Sequence, residues 1–588
     1  MSRGVFGCLV VAALAIALAF RLAAPHLRPM HHDEANQAVK FGALLETGEY
    51  RYDRNDHHGP TLYYLTLPSV WLRGQATLAS LDERTLRVVP ALFGAGLILL
   101  LLPLAGGLGR TAVAAAALLV ALSPALTYYS RFYIQESLFV FFALGFLVAL
   151  GRCSEDRRAV WAVCAGLFAG LAYATKETSL IVLLAGVVAA GAARVWTRAI
   201  ERATRRATDT ASGTAATMRT GSPDTRDAGS SAETGPSAQA AAGARARTRL
   251  ANLALGLAVA LLVAFLFYSS FFRYPLGLLE SFRAFATYIE RGVAPGSHAH
   301  PWHYYLGLLA YSSSGGLVWT EGLVLLLALV GLVAAAMPGR ARAVPAPGLP
   351  AQAGRGFSPA KAGLKPRPTR SECANPDFWP RYVALYSVIT ALAFSAVRYK
   401  TPWNLLPFYA GVVMLAGYGA AALIGMARPR AVRTLLVIAL LAAAAQLSAQ
   451  NWRANFPYPA DPRNPYVYAQ TTPDFLRLVQ RVTDLAALHP DHANMLVKVI
   501  AGPHEQWPLP WYLRRMTRVG YWARASEAVT PEEAPVIVAS QENAAAVDAT
   551  LGDRYVSEFY GLRPEVVLTV FIERGLWDRL LASRLGSR

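Results

Sequence analysis

Long apolar blocks alternate with short polar and basic breaks along most of this chain. Eleven blocks stand out: residues 5–24, 88–108, 112–128, 132–150, 160–174, 179–196, 250–272, 316–337, 382–397, 403–426 and 432–449. A helix rises about 1.5 Å per residue, so blocks of this size are matched to a hydrocarbon core roughly 30 Å thick. They are apolar on every side, which predicts helices buried in lipid or in a bundle. Between the first two blocks the pattern changes. Residues 34–46 carry apolar positions at helical spacing, Gly48-Glu49-Tyr50-Arg51-Tyr52 reads as a turn, and residues 60–72 are apolar and aromatic. That stretch, 25–87, predicts a first outer loop with two interfacial helices. After residue 450 the pattern changes again. Short apolar runs at 495–500, 535–539 and 566–572 alternate with helical patterns at 473–488 and 541–551. They predict a soluble α/β domain over 450–588. The expected fold class is a polytopic α-helical membrane protein of about 11 spans, residues 1–449, with a C-terminal soluble α/β domain.

Composition agrees. The chain is 54% hydrophobic and 16% charged, where a soluble chain carries about 25% charge. Its net charge of +19 could suggest nucleic acid, but no recognition motif accompanies it. The basic residues instead follow alternate loops: Arg110; Arg152, Arg157 and Arg158; Arg198, Arg202, Arg205 and Arg206; Arg340 and Arg342; Arg428, Arg430 and Arg433. By the positive-inside rule the N-terminus is cytoplasmic and the C-terminal domain extracytoplasmic, in a multi-pass protein of the cell (inner) membrane. The first block is read as an uncleaved anchor, since cleavage near Ala24 would detach the span that positions Asp33. Residues 197–249, with almost no large apolar residues, and residues 338–376, rich in Pro, Gly and basic residues, are expected to be disordered cytoplasmic loops. The cysteines, Cys8, Cys153, Cys164 and Cys373, form no CxxC pair, so neither a disulfide framework nor a zinc-thiolate site is expected.

This orientation puts the polar segments 31–87, 129–131, 175–178, 273–305 and 398–402 on the same side as the C-terminal domain. The leading segment is Met30-His31-His32-Asp33-Glu34-Ala35-Asn36-Gln37, directly after the first span. Asp33 can act as a general base, because a carboxylate near lipid loses solvation and becomes more basic. It can also simply cap the helix that follows. Glu34 joins it as a catalytic candidate, better suited to orient than to react. Arg131, Lys176, Arg398 and Lys400 have the charge to hold a phosphate, or can snorkel to headgroups. Glu136 and Glu177 can pair with them, and Tyr399 sits between two of the cations. His31, His32, His57, His58, His298, His300 and His303 fall on the same side. With Asp33 they are compatible with a divalent metal. However, His298-x-His300-x-x-His303 matches no standard helical ligand motif, so no metal ligand is assigned, and a divalent metal stays an open alternative. His58 is better read as a hydrogen-bond partner of sugar or phosphate. Tyr63, Tyr64, Trp302, Tyr304, Tyr305 and Trp403 suit an interfacial aromatic belt. Residues 502–514, dense in polar and aromatic side chains, either face the membrane site or pack their own domain.

Together these motifs resemble a known group. The first span ending in His32-Asp33-Glu34, the following loop and the ladder of spans look like the GT-C membrane glycosyltransferases. Relatives there include dolichyl-phosphate-mannose protein mannosyltransferases and the lipid A aminoarabinose transferase. His58-Gly59-Pro60-Thr61-Leu62-Tyr63-Tyr64, Tyr129-Ser130-Arg131-Phe132 with Glu136, Lys176-Glu177-Thr178 and Tyr399-Lys400-Thr401-Pro402-Trp403 resemble a prokaryotic branch labelled flippase activity-associated. The resemblance implies transfer of a hexose, mannosyltransferase-like, from a polyprenyl-phosphate carrier to a hydroxyl of a protein, lipid or glycan acceptor. It implies inversion at the anomeric carbon and Asp33 as the base. The rival is a flippase-associated or lipid-linked-sugar-binding membrane protein without transferase activity. Against transport stands the scarcity of ionisable groups in the spans: blocks 112–128 and 316–337 contain only Glu321.

Overall fold

The computed structural model describes residues 1–54, 58–156, 158–220, 236–293, 298–337, 377–528 and 534–585. His57, Arg157, Cys373 and the whole 338–376 segment lie outside the described residues.

The membrane module runs α1 (Arg3–Leu22), α2 (His32–Thr47), α3 (Thr61–Leu72), α4 (Glu83–Leu101), α5 (Arg110–Leu122), α6 (Pro124–Tyr129), α7 (Glu136–Asp156), α8 (Ala159–Tyr173), α9 (Ser179–Thr220), α10 (Pro236–Tyr268), α11 (Gly277–Val293) and α12 (Tyr304–Ala310). A hairpin, β1 (Ser312–Ser314) and β2 (Leu317–Trp319), precedes α13 (Gly322–Ala336), α14 (Phe378–Ala396), α15 (Leu406–Met426) and α16 (Arg430–Asn455). Seven helical segments among the described residues are long and apolar enough to cross a membrane, containing α1, α4, α7, α9, α10, α15 and α16. Three shorter apolar helices, α5, α8 and α13, fill other expected positions. The remaining block, 382–397, lies in α14.

Two expectations shift. The block at 316–337 begins its helix only at Gly322, because Gly315 and Gly316 (φ +52° and +78°) turn the chain into the hairpin. Positive φ at two adjacent residues is the geometry of a tight hairpin turn and suits glycine. In the 197–249 segment, residues 197–220 continue α9 and 236–249 begin α10, so the described backbone there is helical. Residues 221–235 lie outside the described set.

One apolar core runs through the bundle, with Tyr129, Tyr133, Trp379, Tyr382 and Tyr409 fully buried. The C-terminal domain has its own core around a five-stranded sheet. It comprises α17 (Pro473–Leu488), β3 (Val497–Ile500), α18 (Leu509–Tyr512), β4 (Val519–Trp522), β5 (Val536–Ser540), α19 (Gln541–Leu551), β6 (Tyr555–Arg563), β7 (Val566–Glu573) and α20 (Arg574–Leu585). Strand order is β4-β3-β5-β7-β6, parallel on the β3 side and antiparallel from β5 onward. Its central strands β3 and β5 are buried throughout, as expected of strands covered on both faces.

The domain is tied to the segment after α1. Tyr512 Oη accepts from the Met30 N–H at 2.8 Å, and Thr471 Oγ1 donates to the Met30 carbonyl at 2.8 Å. Trp511 Nε1 donates to Glu83 at 3.0 Å, and Arg514 donates to the Leu81 carbonyl at 2.7 Å. Residues 502–514 therefore face the membrane module.

Candidate active site

The site is organised by the start of α2. His31 is the N-cap: its Nδ1 accepts from the Asp33 N–H at 3.1 Å, while Glu34 Oε2 accepts from the His31 N–H at 3.0 Å. This is a capping box with histidine where serine or threonine is usual. The capping role considered for Asp33 is thus filled by its neighbours.

Glu34 is fully buried and saturated. Arg87 donates Nε to Oε1 and Nη2 to Oε2, each at 2.8 Å, and the Tyr133 N–H donates to Oε1 at 2.8 Å. With the His31 N–H, all four lone-pair directions of the carboxylate are occupied. Burial pushes this carboxyl up, but Arg87 and Arg28 outweigh it and bring the pKa down to about 2. Such a group accepts no further proton near neutral pH. Glu34 supports the site, and the catalytic candidacy given to it is corrected on that ground. One residue away, the Asp33 side chain is 43% exposed, with Oδ2 3.8 Å from His31 Nδ1.

A second wall comes from two paired segments. The Gly59 N–H donates to the Thr175 carbonyl at 3.1 Å, and the Thr61 N–H to the Ala174 carbonyl at 3.3 Å. A Cβ at Gly59 would lie 2.0 Å from the Ala174 oxygen, so only glycine allows this approach. It delivers His58 to Glu177, with backbone N and Nδ1 each 3.0 Å from a carboxylate oxygen. Burial pushes the Glu177 carboxyl up, but His58 beside it brings the net pKa below the ordinary value. Next to it the Lys176 ammonium pairs with Glu136 and donates to Asn404 Oδ1 at 3.0 Å. Both charged side chains are almost wholly buried, so the pair ties the start of α7 to the turn after α8.

The third wall is a ladder between residues 298–300 and 398–400. The His300 N–H donates to the Arg398 carbonyl at 3.2 Å, and the Lys400 N–H to the His298 carbonyl at 2.9 Å. The His298 ring packs 4.9 Å from Tyr399, and its Nδ1 is 2.5 Å from Tyr468 Oη. Burial lowers the His298 pKa, with the Asp33 charge opposing. Trp403 lies 5.7 Å from the His31 ring. Lys400 is buried, and its ammonium donates to the carbonyls of Val397 and of His300, the latter at 3.1 Å. Arg398 and Tyr399 remain exposed.

The C-terminal domain completes the enclosure. His32 stacks on His504 with centroids 6.1 Å apart and packs 6.0 Å from Trp507. Burial drops the His32 pKa to about 4 despite the Asp33 charge. Sequence reasoning singled out 502–514 without choosing its role, and it named neither Tyr468 nor Arg87. Tyr468 follows an unremarkable run after α16, with no local signal.

Arg131 does not fit its expected task. Its guanidinium donates to the carbonyls of Phe20, Arg21, Ala23 and Ala24 at 2.6, 3.2, 2.7 and 3.1 Å. It closes the C-terminus of α1, where carbonyls lack intrahelical partners. Its Nη1 and Nη2 groups are thus engaged in holding the end of α1 rather than presented to a phosphate. Among the described residues, no three His, Cys, Asp or Glu side chains are grouped so as to hold a metal ion.

A polytopic helical module carries a polar face beside α2, and an α/β domain docks against the segment between α1 and α2. The comparisons agree at the level of fold. Residues 67–205 match the family model of dolichyl-phosphate-mannose-protein mannosyltransferase. ArnT from Cupriavidus metallidurans bound to undecaprenyl phosphate superposes with a TM-score of 0.55 at 16% identity, covering 97% of this chain and 98% of that one. The apo form of the same protein gives 0.53 at 17% identity, over 96% and 98%. No curated protein matches the sequence.

Proposed function

We propose that this protein is a glycosyltransferase that moves a hexose from a polyprenyl-phosphate carrier to an acceptor hydroxyl on the non-cytoplasmic face of the cell membrane. The carrying observation is the contrast inside the His31–Glu34 turn. Glu34 is fully buried and saturated by Arg87, Tyr133 and His31, while the neighbouring Asp33 carboxylate is 43% exposed. Asp33 takes the acceptor O–H proton as that oxygen attacks the anomeric carbon. The bond from the anomeric carbon to phosphate oxygen breaks, and polyprenyl phosphate leaves with the electron pair. A single displacement inverts the anomeric centre. Arg398 and Lys400, on the third wall, supply positive charge for the leaving phosphate. Lys400 would exchange its backbone carbonyl partners for phosphate oxygens. His58, Glu177, Glu136 and Lys176 hold the opposite wall in register. The binding of undecaprenyl phosphate by ArnT, which shares the fold, supports a polyprenyl-phosphate carrier.

The rival reading as a flippase component has no support from Glu321. It is 0% exposed and locked by Ser123, the Ala125 N–H and Tyr466 at 2.8 Å each, together with Tyr409. A carboxylate sealed this way offers no polar step across the bundle. The test uses membranes containing the protein, a panel of radiolabelled polyprenyl-phosphate hexoses, and the Asp33→Asn variant. Label should leave the lipid with the wild type and stay with the variant. Release unchanged in the variant would remove Asp33 from the mechanism.

A further inference from the structure

A largely apolar cavity rimmed by arginines lies between the end of α1, the end of α3 and the start of α4. It has a volume of about 660 Å³. Its wall carries Arg21, His26, Arg73, Arg84 and Arg87 and no Asp or Glu. Two of these cations already have carboxylate partners: Arg73 with Asp82 and Arg87 with Glu34, each at 2.8 Å. Two do not. Arg21 is 1% exposed, yet its guanidinium reaches only the Ala17 and Val120 carbonyls and Ser130 Oγ, at 3.3, 3.0 and 3.3 Å. Arg84 is exposed and has no side-chain partner among the described residues.

A buried guanidinium satisfied by neutral acceptors alone has its hydrogen bonds but no counter-charge, and the desolvation cost of its charge stays uncompensated. A phosphate reached by Arg21 and Arg84 would offset that cost through charge-assisted hydrogen bonds. The mouth of the cavity says where such an anion comes from. Leu22 and Leu72 line it and are 39% and 88% exposed, and Trp71 next to Leu72 is 67% exposed. Leu22 ends the membrane-spanning α1, and Leu72 and Trp71 end the interfacial α3, so these side chains face lipid near the headgroup level.

We propose that this cavity seats the headgroup phosphate of an anionic membrane phospholipid, whose acyl chains lie along Leu22 and Leu72. The site is separate from the transfer reading. The Arg87–Glu34 pair forms the partition between the two, with Arg87 lining this cavity and Glu34 underlying Asp33.

The test is native mass spectrometry of the full chain in neutral detergent, titrated with phosphatidylglycerol or with zwitterionic phosphatidylcholine of the same acyl chains. Phosphatidylglycerol should be retained about tenfold more tightly, the scale of one or two charge-assisted contacts. Arg84→Gln should abolish that preference, and because Arg84 is exposed the variant keeps its fold. Arg21→Gln should do the same if it inserts. Equal retention of the two lipids, or an unchanged preference in Arg84→Gln, would overturn the proposal. So would displacement of phosphatidylglycerol by millimolar inorganic phosphate, which would make this a free-phosphate site.

Discussion

Asp33 and Glu321 are acidic side chains in a largely apolar protein, and their surroundings are opposite. Glu321 gathers Ser123, Ala125, Tyr409 and Tyr466 from three segments and is 0% exposed. Asp33 lies over an equally buried carboxylate, Glu34, and is itself 43% exposed. An acid with every lone pair occupied holds segments together. An acid whose scaffold is saturated beneath it, while its own oxygens stay reachable, is suited to take a proton. Burial alone would have ranked these residues the wrong way round.

The comparison breaks most readily at Asp33. Asp33→Asn should lower transfer by about 10²–10⁴-fold, the usual scale of a lost general base, with no change in the thermal unfolding midpoint. A parallel fall in that midpoint would make Asp33 structural like Glu321. Gly59→Ala comes next. Its Cβ cannot share space with the Ala174 oxygen, and displacing a site wall by about 1 Å costs on the order of 10²-fold in rate. Single-turnover transfer should show this loss even where the folded fraction is retained. Glu321→Ala should act in the reverse sense. It strands buried hydroxyls and an N–H, a destabilisation of about 2–4 kcal/mol, read as a lower unfolding midpoint in detergent. Transfer per folded molecule should be unchanged, and a specific loss of rate would give Glu321 a chemical role. Arg398→Gln should raise the donor KM by about tenfold with kcat less affected, as expected for one charge-assisted phosphate contact.

The smallest effect is on pH dependence. His32 has its folded pKa lowered from 6.5 to about 4 and Glu34 from 4.5 to about 2. In both cases the unfolded chain binds more protons than the folded one inside that window, so stability is lost as pH falls. The unfolding midpoint should decline first between pH 6.5 and about 4, through His32, and further from 4.5 toward about 2, through Glu34. His32→Gln should flatten only the upper limb, and an unaltered profile would exclude His32 as its source.

Much of the architecture was legible in the chain because hydrophobic patterning is a local property. Each apolar block contains helix, though 316–337 opens with a hairpin and 112–128 is split in two, and the boundaries of α17 and α19 were readable to the residue from 3.6-residue periodicity. The alternation of apolar runs with helical patterns marked the α/β domain, although β4, β6 and α20 have no run strong enough to announce them. Asp33 could be singled out because a charged cluster directly after a span is costly and conspicuous.

The partners of polar side chains were not legible. Glu34 meets Arg87 across 53 residues, Arg131 reaches Ala23 across 108, and Met30 meets Tyr512 across 482. Nothing in the local sequence of Arg131 separates a helix-closing arginine from a phosphate-binding one. The residue type supplies five donors, and packing chooses the acceptors. The same holds for His504 and Trp507, which enter the site only because the C-terminal domain docks on the segment after α1. Apolar positions and their period are enough to specify which elements form, since burial depends on one residue and its near neighbours. Which carboxylate is buried and saturated and which is exposed depends on chain segments that meet only in the folded protein.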